Sequence, residues 1–369
     1  MAAQDLHLVA PSTLVSTRDS LKPVGWANEM QNLPEYPFAQ RLMGAGWGEE
    51  GGFGSKHTWR MVENAGDPKP PYPIGHVYTA KYEADATELS VPWYRGEDTA
   101  AIPKGIIDAN QGDAQLIDER DLQKQRATTR IFELQEDVAW RPRSVGQSEY
   151  PVSIPMWIPI PGNVTTPGFY NALAAGHTLI AGTDASDSGH PKYRPFLANY
   201  STFGVDDFPV TASLLMRKIN FMPIPGTSMT MPGSNASNLM VTMGPKTLAQ
   251  IELAATRNND QNGRSISPSF NATSMFGMTP TVSHKVDDLT DAQGTSTSWP
   301  IYFLNLTKDG FWPVFQAHGN RFVQDVDWEK APMSDTFYCH WNWVYAYRVR
   351  SRRRLGGMAR SAPFGEANI

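Results

Sequence analysis

The segment that most limits what this chain can fold into is FYCHWNWVYAYRVRSR, Phe337 to Arg352. Phe337, Cys339, Trp341, Trp343, Tyr345, Tyr347 and Val349 fall on one face. Tyr338, His340, Asn342, Val344, Ala346, Arg348 and Arg350 fall on the other. Alternation with a period of two is the signature of an extended strand. At about 3.3 Å per residue such a strand runs for over roughly 40 Å, well past the usual five or six residues. An element that long needs a long sheet or a long partner element, and it is too long for an ordinary compact domain.

A long helix is expected as well. DERDLQKQRATTRIFELQEDVAW, Asp118 to Trp140, holds no Gly and no Pro, and Arg141-Pro142 ends it. Asp118 is placed to cap a helix, with Glu119 and Asp121 in its positive first turn. Ala127, Ile131, Leu134 and Val138 recur at spacings of four, three and four, which predicts one packing face. The other faces carry charge and meet water or a neighbour. The helix spans about 35 Å.

Other segments are shorter. Pro37 to Leu42 suits a short helix with Pro in its first turn. Arg60 to Glu63 and His76 to Glu83 are strand candidates around the rigid turn KPPYP, Lys69 to Pro73. Together they predict a projecting hairpin, because little in it makes a core of its own. Residues 151–299 alternate apolar runs with Gly/Pro/Ser/Asn loops. Ser213 to Phe221 reads as the end of a helix, Asn238 to Met243 as a buried strand and Pro245 to Arg257 as a helix. That alternation suggests a mixed α/β layer.

Composition removes several function classes. The net charge of −5 argues against a protein that grips nucleic acid over a broad basic surface. A single cysteine, Cys339, leaves no intrachain disulfide. It alternates with aromatics, so a buried, inert thiol is expected. No apolar run is long enough to span a membrane. The N-terminus lacks the basic and apolar regions of a secretory signal, so synthesis in the cytoplasm is expected. The five N-x-S/T triplets are then read as chance occurrences.

The stretch GAGWGEEGGFGSK, Gly44 to Lys56, contains GWGEEG, which fits the glycine pattern of dinucleotide-binding loops. The chemistry opposes that reading. Glu49 and Glu50 stand where a pyrophosphate would sit, no strand precedes, and Gly51, Gly52 and Gly54 oppose the helix that must follow. A flexible connector is the expectation, with Gly46, Gly48, Gly51, Gly52 and Gly54 as hinge residues.

No catalytic, cofactor or metal site emerges. The eight histidines form no i, i+3 or i, i+4 pair, and no G-x-S-x-G elbow occurs. Asp206-Asp207 and Asp287-Asp288 suit solvated turns better than a cation site. The basic run Arg348, Arg350, Arg352, Arg353, Arg354 has two open readings. It is either a contact for nucleic acid or partner carboxylates, or a solvated strand end.

The order of these elements resembles the major capsid proteins of tailed bacteriophages, with the Hong Kong 97-type fold, from about residue 56 to 357. The 57–108 hairpin resembles that family's E-loop, and Asn110 to Trp140 its P-domain spine helix. Pro167 to Pro195, NLMVTMGPKTLAQIELAATR and Phe276 to Asp288 resemble parts of its axial A-domain. IYFLNLTKDGFWPVFQAHGNRF and the segment from Phe337 to Met358 resemble its paired long P-domain strands and the final turn to the axial domain.

The resemblance implies an α+β fold. Its parts are an N-terminal arm and hinge (1–56), an E-loop (57–108), a P-domain with its spine helix (109–150) and an α/β A-domain (151–299). P-domain return strands (300–350) and a C-terminal segment (351–369) complete it. Trp341, Trp343, Tyr345 and Tyr347 would form the P-domain strand face. Arg348, Arg350 and Arg352 would face neighbours or DNA.

It also implies a non-enzymatic, cofactor-free subunit that assembles with itself into pentamers and hexamers around double-stranded DNA. Its partners would be a portal, a scaffolding protein and a decoration protein, with no membrane partner. It would be assembled in the host bacterial cytoplasm and reside in the virion capsid. No charged helical prodomain precedes the fold, so scaffolding is expected from a separate protein, and no crosslinking pair is carried over. Two other readings stay open: an encapsulin-like nanocompartment, and a Trp-rich glycan-binding protein or hydrolase.

Overall fold

The structure is a computed structural model. It describes residues 36–44, 49–50, 54–62, 86–109, 119–141, 150–160, 168–170, 173, 179–185, 190, 193–202, 207–219, 239–260, 280–287, 289, 299–307, 310–316, 324–325, 328–332 and 334–360. Most of the expected N-terminal arm therefore lies outside the described residues. So do the strand expected at His76–Glu83, the turn Lys69–Pro73 and the cap at Asp118.

In chain order, helix α1 (Pro37–Gly44) starts on its proline, whose missing N–H is no loss at a helix start. Strands β1 (Glu49–Glu50), β2 (Lys56–Val62), β3 (Ala86–Pro92) and β4 (Tyr94–Pro103) follow. Helices α2 (Lys104–Ala109), α3 (Glu119–Trp140) and α4 (Ile154–Trp157) come next. After them come strands β5 (Gly168–Tyr170), β6 (Leu179–Ile180), β7 (Thr183–Asp184) and β8 (Phe196–Tyr200), then α5 (Phe208–Lys218).

Strand β9 (Leu239–Met243), α6 (Pro245–Asp260), β10 (Thr281–Val282) and α7 (His284–Asp287) lead to β11 (Ile301–Asn305) and β12 (Phe311–Phe315). The chain closes with β13 (Gln324–Asp325), β14 (Glu329–Lys330), β15 (Thr336–Val349), a 3-10 turn (Arg352–Arg354) and β16 (Gly356–Arg360).

The chain divides into two compact units. One comprises residues 1–36, 95–134 and 323–343, and the other 37–94, 135–322 and 344–369. Both α3 and β15 contribute residues to each. In the first unit β15 pairs antiparallel with β13 and β14, through Gln324↔Asn342 and Glu329↔Tyr338, and β4 also pairs with β15. Arg130 forms an ion pair with Asp98 at 2.9 Å, and the Arg120 guanidinium lies over the Phe337 ring.

The second unit holds two sheets and a hairpin. In one sheet, β12 pairs antiparallel with the end of β15, through Phe311↔Val349 and Phe315↔Tyr345, and β1 pairs parallel with β12. The other sheet has the order β10-β9-β11-β16-β8-β5. Its core joins Leu215, Met216 and Ile219 of the α5 segment to Val241, Met243, Ile301, Phe303 and Met358. The hairpin pairs β2 with β3 from Lys56↔Pro92 to Val62↔Ala86. A tight turn at Ala181 and Gly182, both at positive φ, joins β6 to β7. The Ser90 N–H donates to the Ala181 carbonyl, tying that turn to β3.

Three expectations change here. The partner of β2 is Ala86–Pro92, a later segment than the His76–Glu83 expected. Ile301–Asn305 does not pair with the long strand: it sits between β9 and β16, where all five residues are buried. Only Phe311–Phe315 of that stretch pairs with β15. Inside the glycine-rich stretch, Glu49 and Glu50 pair with Val314 and Phe315, so part of the expected connector is built into a sheet.

Candidate assembly elements

The described residues hold no group of three or more His, Cys, Asp or Glu able to hold a metal ion. No described helix is long and apolar enough to cross a membrane. The candidate functional elements are the long helix, the long strand, the basic residues and the glycines.

Along α3, Ala127, Ile131 and Val138 are buried, as the spacing predicts. Leu134 is not: 38% of its surface is exposed. The buried stripe passes instead through Gln135, whose side-chain oxygen accepts a hydrogen bond from the Tyr347 hydroxyl at 2.9 Å. Leu134 lies one residue aside, at the margin of the face.

The last turns of α3 carry a buried polar group with several partners. Glu136 is fully buried, yet its carboxylate accepts four hydrogen bonds. They come from the backbone N–H of Phe38 (2.9 Å) and Ala39 (3.1 Å), the Trp140 indole (2.8 Å) and the Ser283 hydroxyl (2.9 Å). Two of these donors are orphan amides at the start of α1, so a carboxylate on a distant helix caps α1. Burial pushes the Glu136 carboxyl above the ordinary carboxylate range, against hydrogen bonds that pull it down. Phe38 completes the joint by meeting the Trp140, Phe311 and Tyr347 rings edge-on. Sequence reasoning missed Glu136, because a Glu within ELQEDVAW looks like one more solvated charge.

On β15, Cys339, Trp341, Trp343, Tyr345, Tyr347 and Val349 are buried, and Phe337 is half-buried. The opposite face changes along the strand. Tyr338, His340, Asn342 and Val344 are half-buried, whereas Ala346 and Arg348 are buried. Trp343 packs so closely over Gly96 that no side chain fits there.

The arginine expectation narrows accordingly. Arg348 is buried and Arg352 fully so, leaving Arg350 as the exposed member of the three. Arg352 donates to the backbone carbonyls of Trp157 (2.9 Å) and Met156 (3.4 Å) at the end of α4, and stacks near the Tyr193 ring. Burial pushes its guanidinium down to about 10. It ties the 3-10 turn to α4 and offers nothing to an outside anion. Nothing in its sequence neighbourhood points to carbonyls almost two hundred residues away.

Of the acidic pairs, Asp207 and Asp287 are described, and they act as a turn clamp and a helix clamp. Asp207 accepts hydrogen bonds from the Ser201 N–H and hydroxyl and from the Thr202 N–H. Asp287 accepts from the Lys246 N–H at the start of α6, and its carboxylate lies so near Gly244 that only glycine fits. Of the hinge glycines, Gly46, Gly48, Gly51 and Gly52 lie outside the described residues. Gly54 is exposed at φ +124°, a backbone state other residues rarely adopt, and its carbonyl accepts from the Gln316 side chain.

No family model matches the sequence, and no curated protein matches it. Solved structures do match the fold. A capsid chain of cyanophage A-1(L) aligns at 12% identity with a TM-score of 0.53, over 88% of this chain and 92% of that one. A capsid chain of a native GTA particle, determined with C5 symmetry, aligns at 10% identity with a TM-score of 0.52, over 88% and 91%. The SrpI encapsulin of Synechococcus elongatus aligns at 12% identity with a TM-score of 0.51, over 95% of each chain. The chain has the α+β fold of these shell proteins and spans nearly their full length.

Proposed function

We propose that this chain is the major structural subunit of an icosahedral, Hong Kong 97-type capsid of a tailed phage. It assembles with itself into pentamers and hexamers around double-stranded DNA. The observation that carries the reading is the fold likeness to capsid proteins over nine-tenths of the chain. The burial pattern supports it: each tryptophan of described burial is buried or half-buried, so none among the described residues is a fully open platform for a sugar.

In this reading residues 1–56 are an arm and hinge, 57–108 an E-loop, 109–150 the start of the P-domain and 151–299 an A-domain. The A-domain sheet also takes in Ile301–Asn305 and Gly356–Arg360, which leaves 311–350 as the return strands. Function is geometric, without a catalytic centre or cofactor. The half-buried side of β15 and the exposed Leu134 are surfaces that neighbouring copies cover. Portal, scaffolding and decoration proteins are its expected partners, the host cytoplasm its place of assembly and the virion its destination.

The test is electron microscopy of the purified full chain. Closed particles hundreds of ångströms wide, built of rings of five and six, are expected. A monomer at every concentration and salt condition excludes the reading. In the same assay, replacing Gly51, Gly52 and Gly54 with Ala is expected to impair closed-particle formation or expansion. A second reading, an encapsulin-like nanocompartment, is favoured by the 95% coverage of the SrpI chain. Particles from producing cells that hold protein cargo and no nuclease-protected duplex DNA decide for it.

A further inference from the structure

The basic residues regroup in three dimensions. Helix α5 ends on Arg217 and Lys218, both exposed. The Lys218 ammonium lies 3.8 Å from the Phe169 ring centroid and 5.9 Å from that of Phe196. Arg353, exposed in the 3-10 turn after β15, places its guanidinium 5.7 Å from the same Phe196 ring. None of these three cations enters an ion pair among the described residues.

Two local effects explain part of this cluster. A helix C-terminus favours Arg217 and Lys218, and the Phe169 ring favours Lys218. The Phe196 ring favours Arg353 in the same way, and it brings exposed cations from two separate segments to one ring. Lys218 and Arg353 thus share one ring in a chain whose net charge is −5. An anion beside that ring meets both charges.

We propose that Arg217, Lys218 and Arg353 form a phosphate-binding patch for the backbone of duplex nucleic acid, with no reading of sequence. The proposal rests on the capsid reading and names the surface that meets the packaged polymer. The two guanidiniums match phosphate oxygens with paired donors, and the ammonium adds a point charge. Cations cover the aromatic faces, so the patch offers no apolar pocket to anchor an acidic peptide. Contacts to phosphate need only charge and position, and the patch supplies both.

The test uses the full chain before assembly and a 20-bp duplex, with fluorescence anisotropy followed across potassium chloride concentrations. The triple variant R217Q/K218Q/R353Q is expected to lower the slope of log K against log salt by about two to three. The single variant Arg353→Gln is expected to lower it by about one, and serves where the triple folds poorly. A control triple at exposed sites elsewhere, R60Q/R95Q/R126Q, is expected to change it by less. Equal losses in patch and control variants overturn the proposal. So does polyglutamate binding that falls in step with the patch variants, since the patch then belongs to an acidic polypeptide. Electron microscopy of the same samples separates the two claims. Particles with an unchanged slope refute the patch alone, and a lowered slope without particles refutes the shell alone.

Discussion

The two halves of β15 are built differently. From Thr336 to Val344 one face is buried and the other is half open. From Tyr345 to Val349 both faces are closed. Helix α3 repeats the contrast. Up to Leu134 it buries a stripe and exposes Lys124's neighbours Gln125 and Arg126, whereas Gln135, Glu136, Val138, Ala139 and Trp140 are all buried. One stretch of each element holds the fold, and the other keeps a side available. The proposed tiling function requires both.

The largest test of this contrast sits on the helix. Replacing Glu136 with Ala strands two backbone amides, an indole and a hydroxyl, and is expected to cost about 3–5 kcal/mol in chemical denaturation. Replacing Glu133, exposed three residues earlier, is expected to stay within about 0.5 kcal/mol. Similar costs at the two sites would erase the distinction. Next comes Gly96→Ala, which drives a methyl into the Trp343 indole. A loss of about 1–3 kcal/mol is expected, because even the half-open stretch is tightly packed on its inner face. A neutral result would mean that face is loose.

Hydroxyl deletions give a smaller contrast. Tyr347→Phe removes the buried bond to Gln135 and is expected to cost about 1 kcal/mol. Tyr338→Phe removes an exposed bond to Glu329 and is expected to leave the denaturation midpoint unchanged. The smallest effect lies outside both elements, at Asp207. Its partial burial pulls the carboxyl up, but the Ser201 and Thr202 hydrogen bonds outweigh that and hold it below the usual range. A depressed folded value means this contribution is present above about pH 4 and fades as pH falls through the folded value. Asp207→Asn is expected to flatten that acid limb, and an unchanged limb in a pH titration of stability counts against it.

The contrast between halves also explains what could be read from sequence. Period two announced β15, and spacings of four, three and four announced α3, because one-sided burial imposes a period. Leu239–Met243 and Pro245–Asp260 were legible for a related reason: a short apolar run is followed by Pro at a helix start. Legibility failed where burial depends on distant backbone. Glu136 is buried because Phe38 and Ala39 bring it their amides. Arg352 is buried because two α4 carbonyls accept hydrogen bonds from it. The β-sheet placement of Ile301–Asn305 was hidden as well, since an all-apolar strand fits any fully covered position.

The central claim is that the open stretches of α3 and β15 are reserved for other copies of the chain. Oxidative footprinting of Leu134, Tyr338 and His340 in free subunits and in assembled particles tests it most directly. All three are expected to lose reactivity on assembly, while Tyr345 and Tyr347 stay unreactive in both states. Unchanged reactivity at Leu134, Tyr338 and His340 would contradict the account. So would a chain that persists in solution as a monomer with a radius of gyration of about 21 Å.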